Sequence, residues 1–312
     1  MKSIPKRSIL LGIVGDSASG KTTLSEGIAQ ILGPERVTVV STDDYHKYNR
    51  HQRQEQRISA LHPDCNYINI IEQHLNLIGR GQPILKPVYN HSTGDFDPPG
   101  YVEPREFVIV EGLLAFFTRE MRDCFDVKVY LDPPEELRYH WKVKRDTVKR
   151  GYTLEQVVAS LDKQKKDSQQ FIWTQRRWAD IVVRFYPPEG IEQDGDGSHL
   201  NARLVLRPTI PHPDMRRILE HGDYSDSPGM RLELGRDDVQ PVDFLEIDGD
   251  IPLEKTRTLE DLLWHHIHPI RRLPPEQIGW YMNGTDQRRS NPLALTQLLI
   301  GYHMTRAHEE LL

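Results

Sequence analysis

The chain has 312 residues, 37% of them hydrophobic and 28% charged, the composition of a globular enzyme and enough chain to bury a substantial core. Residues 1–190 carry 27 Lys+Arg against 25 Asp+Glu and residues 191–312 carry 13 against 21, giving a formal net charge of −6. That acidic balance argues against a nucleic-acid partner. No apolar run reaches the roughly 20 residues that cross a bilayer, and the segment before the first apolar run is too short for a signal peptide. The two cysteines, Cys65 and Cys124, make neither a disulfide framework nor a zinc site. A cytoplasmic protein without a membrane partner is expected.

The first apolar run, Ile9–Val14, reads as a buried strand and is followed by Gly15-Asp16-Ser17-Ala18-Ser19-Gly20-Lys21-Thr22-Thr23. This is the G-x-x-x-x-G-K-[ST] pattern, and helical spacing over 21–32 follows it at once. The glycines let backbone N–H groups converge on an anion at a helix N-terminus. Lys21 is expected to reach the β- and γ-phosphates of a nucleoside triphosphate, and Thr22 to offer its hydroxyl to Mg²⁺.

A second strand is expected over Val37–Ser41, leading into Thr42-Asp43-Asp44-Tyr45-His46. In open parallel sheets ligands sit at the carboxyl ends of strands, so a carboxylate here can accept a proton from an attacking hydroxyl. His46 and Arg50 are four apart; on a helical turn they would share a face and suit a second phosphate. The blander alternative is a solvated charged loop. A helix is expected over 67–79. The segment from Lys86 to Pro99 is turn-rich and resembles a hairpin presenting Tyr89 and His91. Phe107–Glu111 is an apolar strand ending in an acid, placed to support the metal.

Beyond a strand over Val127–Leu131, Asp132 is expected to cap a helix with Pro133 as its first residue, and Gly151 to stop it. That helix holds Lys142, Arg145 and Lys149 at i, i+3 and i+7, one basic face. Such a face is either a solvated surface or a lid that neutralises a transferring phosphoryl group. A helix over 153–172 and a strand over Ile181–Phe185 complete a first part, residues 1–186. Alternating strands and helices argue for an α/β fold, a three-layer sandwich of the P-loop NTPase type with a mostly parallel sheet. Residues 187–198 read as a glycine-rich loop. Residues 187–312 are expected to extend the same sheet with strands near 202–206, 230–234 and 241–247 and helices near 258–268 and 290–310.

In order along the chain, the phosphate loop, Asp43-Asp44-Tyr45-His46, Lys86-Pro-Val-Tyr-Asn-His91 with Gly94 and Asp97-Pro-Pro99, Val110-Glu111-Gly112-Leu113, Trp141–Asp146 and Ala179–Arg184 resemble the phosphoribulokinases of the uridine-kinase-like branch of P-loop kinases. The resemblance implies ATP- and Mg²⁺-dependent phosphorylation of D-ribulose 5-phosphate on its 1-hydroxyl, in a homodimer or larger homo-oligomer. It assigns Asp43 as general base, Glu111 to the metal, and Lys142 and Arg145 to phosphoryl transfer. His46, Arg50 and Arg150 fall to the sugar phosphate, with Tyr89 and His91 carried over on the local motif alone. Thioredoxin-regulated members carry cysteines where this chain has Ser19 and Ser41, and a C-terminal cysteine pair it lacks. Activity indifferent to mild thiol oxidants follows. The alternatives are a uridine-type nucleoside kinase, or a nucleotide-binding regulator on the same fold.

Overall fold

The computed structural model describes residues 7–189, 199–214, 229–266 and 277–311. Its framework is an eight-stranded sheet. In spatial order the strands are β2 (Val37–Ser41), β5 (Phe107–Gly112), β1 (Ile9–Gly15), β6 (Val127–Leu131), β7 (Ile181–Tyr186), β8 (Asn201–Leu206), β10 (Gln240–Ile247) and β9 (Met230–Asp237). The first five run parallel and the last three antiparallel. The five parallel strands begin where their apolar runs begin. Strands covered on both faces have no polar side to alternate with, so they read as continuous hydrophobic runs.

Successive side chains on a strand face opposite ways, which splits the core in two. Ile9, Leu11, Ile13, Ile109 and Val129 join α1 (Lys21–Leu32) and α8 (Asn291–Glu309) on one face. Leu10, Val14, Val108 and Val110 join α3 (Ile68–Gly79) on the other. The result is the expected three-layer α/β sandwich. A separate two-stranded hairpin, β3 (Ile84–Asn90) with β4 (Asp95–Val102), confirms the hairpin reading of 86–99. Three prolines sit within it, a composition tolerated at sheet edges and bulges. A second hairpin, β11 (Trp280–Asn283) with β12 (Asp286–Arg289), was not anticipated.

Two helix boundaries differ from expectation. The basic helix α5 (Glu135–Arg150) has Pro134 at its N-cap, not Asp132. Pro133 precedes another proline, and the ring of Pro134 bars it from helical φ/ψ; Asp132 instead accepts from Arg176 at 3.0 Å. Gly151 does end α5, at φ 69°. The helix expected over 153–172 is α6 (Leu154–Asp167), continued by a π-turn through Ile172. The glycine-rich stretch after Pro188 falls largely outside the described residues. The helix expected over 258–268 is α7 (Leu253–His266), and its last two expected positions lie outside them as well.

The antiparallel strands are tied to the parallel ones by Arg207, which is 2% exposed. Its guanidinium donates to the carbonyls of Arg176, Arg177 and Ala179 at 3.1, 2.7 and 2.9 Å and to Asp237 at 2.7 Å. Gln297 of α8, fully buried, donates to the Thr23 carbonyl at 3.1 Å. No helix among the described residues is long and apolar enough to cross a membrane.

Candidate active site

Because β1, β2 and β5 are adjacent and parallel, their carboxyl ends open at one place. The register sets Glu111 opposite both Ile13 and Ser41, which brings the phosphate loop, Asp43 and Glu111 together. The three lie in one open cleft of about 1090 Å³.

The loop is held from inside and from above. Ala18 and Gly20 take φ of 63° and 96°, turning successive N–H groups inward. Lys21 is buried and its Nζ donates to the carbonyls of Gly15 and Asp16, both at 2.9 Å. Burial pushes its ammonium pKa down, opposed by the charges of Asp43, Glu111 and Asp16. Asp16 accepts from the Ser17 N–H at 2.7 Å and Trp173 Nε1 at 3.3 Å. Arg138 of α5 reaches the Ser17 carbonyl at 3.3 Å.

Glu111 accepts from Thr22 Oγ1 at 3.1 Å and Ser25 Oγ at 3.0 Å. Burial pushes its carboxyl pKa up, against the pull of Lys21 and the two hydroxyls. Among the described residues no cluster of three His, Cys, Asp or Glu could hold a metal alone. One carboxylate beside one threonine hydroxyl is still the donor set that Mg²⁺ uses when nucleotide phosphates supply its other ligands. The residues fit that ion.

Asp43 sits in the short helical turn Thr42–Tyr45. Its backbone N–H donates to Ser41 Oγ at 3.2 Å, and its Oδ1 accepts from the Leu113 N–H at 3.1 Å. The second bond requires a bare backbone at Gly112: a Cβ there would lie 1.8 Å from Thr42 Oγ1 and 3.0 Å from Asp43 Oδ1. Next door, Asp44 accepts from the Tyr89 N–H at 3.0 Å and pairs with Lys86. The β3–β4 hairpin is thereby fastened to the segment that carries Asp43.

His46 and Arg50 both line the cleft, but they share no helical face. Asn49 and Gln52 form a capping box, so α2 (Arg50–Glu55) begins at Arg50 and His46 stands outside it with ψ 142°. His46 is 3% exposed, and burial, aided by Arg53, lowers its pKa to about 4. Its Nδ1 meets Asn66 Oδ1 at 2.7 Å, while the Asn66 amide donates to the carbonyls of Ala60 and His62. That fixes the amide orientation and hence the tautomer: Nδ1–H donates, and the neutral ring keeps Nε2 as an acceptor. Arg50 donates to the His91 carbonyl at 2.6 Å and lies over the Tyr152 ring. Tyr89 is nearly buried, edge-on to His46 and His91, and its hydroxyl accepts from Arg53 at 2.6 Å. It forms a wall, with its polar tip already engaged.

From α5, Lys142 and Arg145 reach Ser17 Oγ at 3.4 and 3.1 Å. Both also contact Asp146, at 3.4 and 2.8 Å, as does Arg150 at 3.4 Å. Burial lowers the Lys142 pKa to about 8. The side chain of Lys149 lies outside what is described. The sequence reading gave no role to Asp146 or to Arg53. The spacing 142–146–150 marks Asp146, and Arg53 is one turn from Arg50 on α2; Asp44 and Lys86 left no such signal. Both cysteines are free, and burial raises both thiol pKa values.

A family model described as the phosphoribulokinase / uridine kinase family matches residues 10–192. A phosphoribulokinase of Synechocystis sp. is 31% identical over 98% of this chain and 95% of its own length. The chloroplastic phosphoribulokinase of Arabidopsis thaliana is 27% identical over 98% and 85%. A uridine kinase of Streptococcus thermophilus is 30% identical but spans 60% of the chain. The solved phosphoribulokinase from Rhodobacter spheroides superposes with a TM-score of 0.60 at 16% identity, over 82% of this chain and 95% of that one, and shares its fold. With a family model matched over residues 10–192 and a relative 31% identical along nearly its whole length, and with the phosphate loop, Asp43 and Glu111 gathered at the ends of β1, β2 and β5, the chain belongs to the phosphoribulokinase / uridine kinase family.

Proposed function

We propose that the chain transfers the γ-phosphoryl group of ATP to the 1-hydroxyl of D-ribulose 5-phosphate, giving ribulose 1,5-bisphosphate and ADP. The observation that carries this reading is the composition of one cleft: a carboxylate at the end of β2, a phosphate loop beside it, and arginines beyond it. Relatives spanning nearly the full chain are named phosphoribulokinase, whereas the uridine kinase match covers 60% of it.

In this reading Asp43 orients the acceptor hydroxyl and takes its proton as the new P–O bond forms. The Leu113 N–H bond keeps one oxygen fixed and leaves the other for the substrate. Lys21 exchanges its two carbonyl partners for phosphate oxygens. Lys142 and Arg145 stabilise charge on the equatorial oxygens, with Asp146 positioning them. Thr22 and Glu111 would hold Mg²⁺, which neutralises charge on the β- and γ-phosphates when bound. Arg50 and Arg150 grip the phosphate already on the sugar, helped by His91. Neutral His46, with Nε2 as acceptor, suits a sugar hydroxyl better than that phosphate, and Tyr89 shapes the pocket. The cytoplasm, where ATP is present and thiols stay reduced, and a homo-oligomer belong to the same proposal.

ADP release measured side by side with ribulose 5-phosphate and uridine tests it. Turnover dependent on the sugar phosphate is expected. Turnover on uridine alone, or ATP binding with no turnover on any pentose phosphate, would sink it.

A further inference from the structure

The turn that follows β5 is irregular backbone inside the molecule. Leu113, Leu114, Ala115 and Phe116 are all buried there. Backbone groups in such a place cannot turn to water, so each needs a partner within the protein. One side chain supplies two of those partners. Gln175, 2% exposed, accepts from the Phe116 N–H at 2.9 Å through Oε1. Its Nε2 donates to the carbonyls of Leu113 and Phe171, both at 2.8 Å. Two carbonyls and one N–H allow the amide a single orientation, with its oxygen and both hydrogens engaged.

Leu113 is also the residue whose N–H holds Asp43 Oδ1. Its N–H and its carbonyl belong to the peptide units on either side of its Cα. Gln175 on one unit and Asp43 on the other therefore fix how Leu113 is turned. The sheet does not do this, because β5 ends at Gly112. Gln175 comes from the turn Trp173–Trp178, which continues α6 through the π-turn Ser168–Ile172. A π-turn is a geometry often found beside functional sites. Two residues before Gln175, Trp173 Nε1 donates to Asp16 of the phosphate loop at 3.3 Å. One short segment thus touches both the phosphate loop and the turn behind Asp43.

We propose that Gln175 is a positioning residue for phosphoryl transfer. It holds Leu113 so that the N–H of that residue aims one oxygen of Asp43 and leaves the other turned to the acceptor hydroxyl. The proposal rests on the reading of Asp43 as the general base.

A double-mutant cycle in the whole chain tests it, pairing Gln175→Met with Asp43→Asn. Methionine is similar in length and makes none of the three bonds. Rates are expressed per ATP site counted by calorimetric titration, so that unfolded protein does not enter them. With Asp43 present, Gln175→Met should lower kcat about tenfold or more, with ATP affinity within about twofold of wild type. In the Asp43→Asn background the same substitution should change the residual kcat by less than about twofold, since no proton acceptor is left to aim. Gln175→Glu keeps an acceptor for Phe116, and its carboxylate has no hydrogen for Leu113. It should behave alike, and it carries the test if Gln175→Met does not fold. An equal fall in both backgrounds overturns the proposal and leaves Asp43 as the base. So does wild-type turnover in either variant, or a parallel loss of ATP affinity. Near-normal turnover of Asp43→Asn alone removes the base reading, and the proposal goes with it.

Discussion

Asp43 receives a hydrogen bond from the Leu113 N–H that an amide oxygen would also accept, so Asp43→Asn keeps the geometry and removes the proton acceptor. A fall in kcat of about 10²–10⁴ is expected, with ATP affinity by titration nearly unchanged; near-normal turnover would take Asp43 out of the base role. Arg50→Ala should raise KM for the sugar phosphate by about tenfold or more with a smaller effect on kcat, and steady-state kinetics at saturating ATP would expose an unchanged KM. Lys142 gives a pH signature. Its pKa is lowered to about 8 by burial, so its charge is present below that pH and lost as pH rises through it. In the free enzyme kcat/KM for ATP should therefore decline on the alkaline side of about 8. Lys142→Arg, whose guanidinium does not titrate there, should shift that decline upward, and an unmoved pH profile would assign it elsewhere. His46 carries no charge change near neutrality, since burial holds its pKa near about 4.

The turn between β5 and the segment after it leaves no room for a side chain. Gly112→Ala would drive a Cβ against Thr42 and Asp43, at a cost of about 1–3 kcal/mol in strain. Both thermal stability and kcat should fall, and a variant with wild-type melting temperature and turnover would show that the contact relaxes freely. Elements of this kind were unevenly legible. The central strands β1 and β5 announced themselves because burial on both faces demands unbroken apolar runs, and the phosphate loop because its glycines serve a backbone shape. Hairpin β11–β12 has one signal, the Asn283-Gly284 pair at its turn with Gly284 at φ 69°, but four residues per strand and the surface-like Asp286-Gln-Arg-Arg289 make a weak strand pattern. The start of α2 was readable in Asn49-x-x-Gln52, a capping box, yet regular i, i+4 spacing from His46 was the more tempting pattern. Tautomer and protonation of His46 depend on Asn66, twenty residues away, which no local pattern contains.

Across the whole molecule, Arg207 joins the antiparallel part of the sheet to the parallel part. Arg207→Met would leave three carbonyls and Asp237 short of a donor, with Arg176 still paired to Asp237 at 2.9 Å. Breaking a buried charge pair from one side costs about 3–5 kcal/mol, so the urea midpoint should drop clearly; an unchanged midpoint would mean the network adds no net stability. The bond from Gln297 to Thr23 spans 274 positions and has a consequence in time. A ribosome adding about 5–20 residues per second needs roughly 14–55 s between making one partner and the other. Throughout that interval the first helix of the nascent chain goes without the α8 partner that later covers it, which makes it a natural client for chaperones. Stalled chains ending before Asn291 should be cut by protease near Thr23 where finished molecules resist.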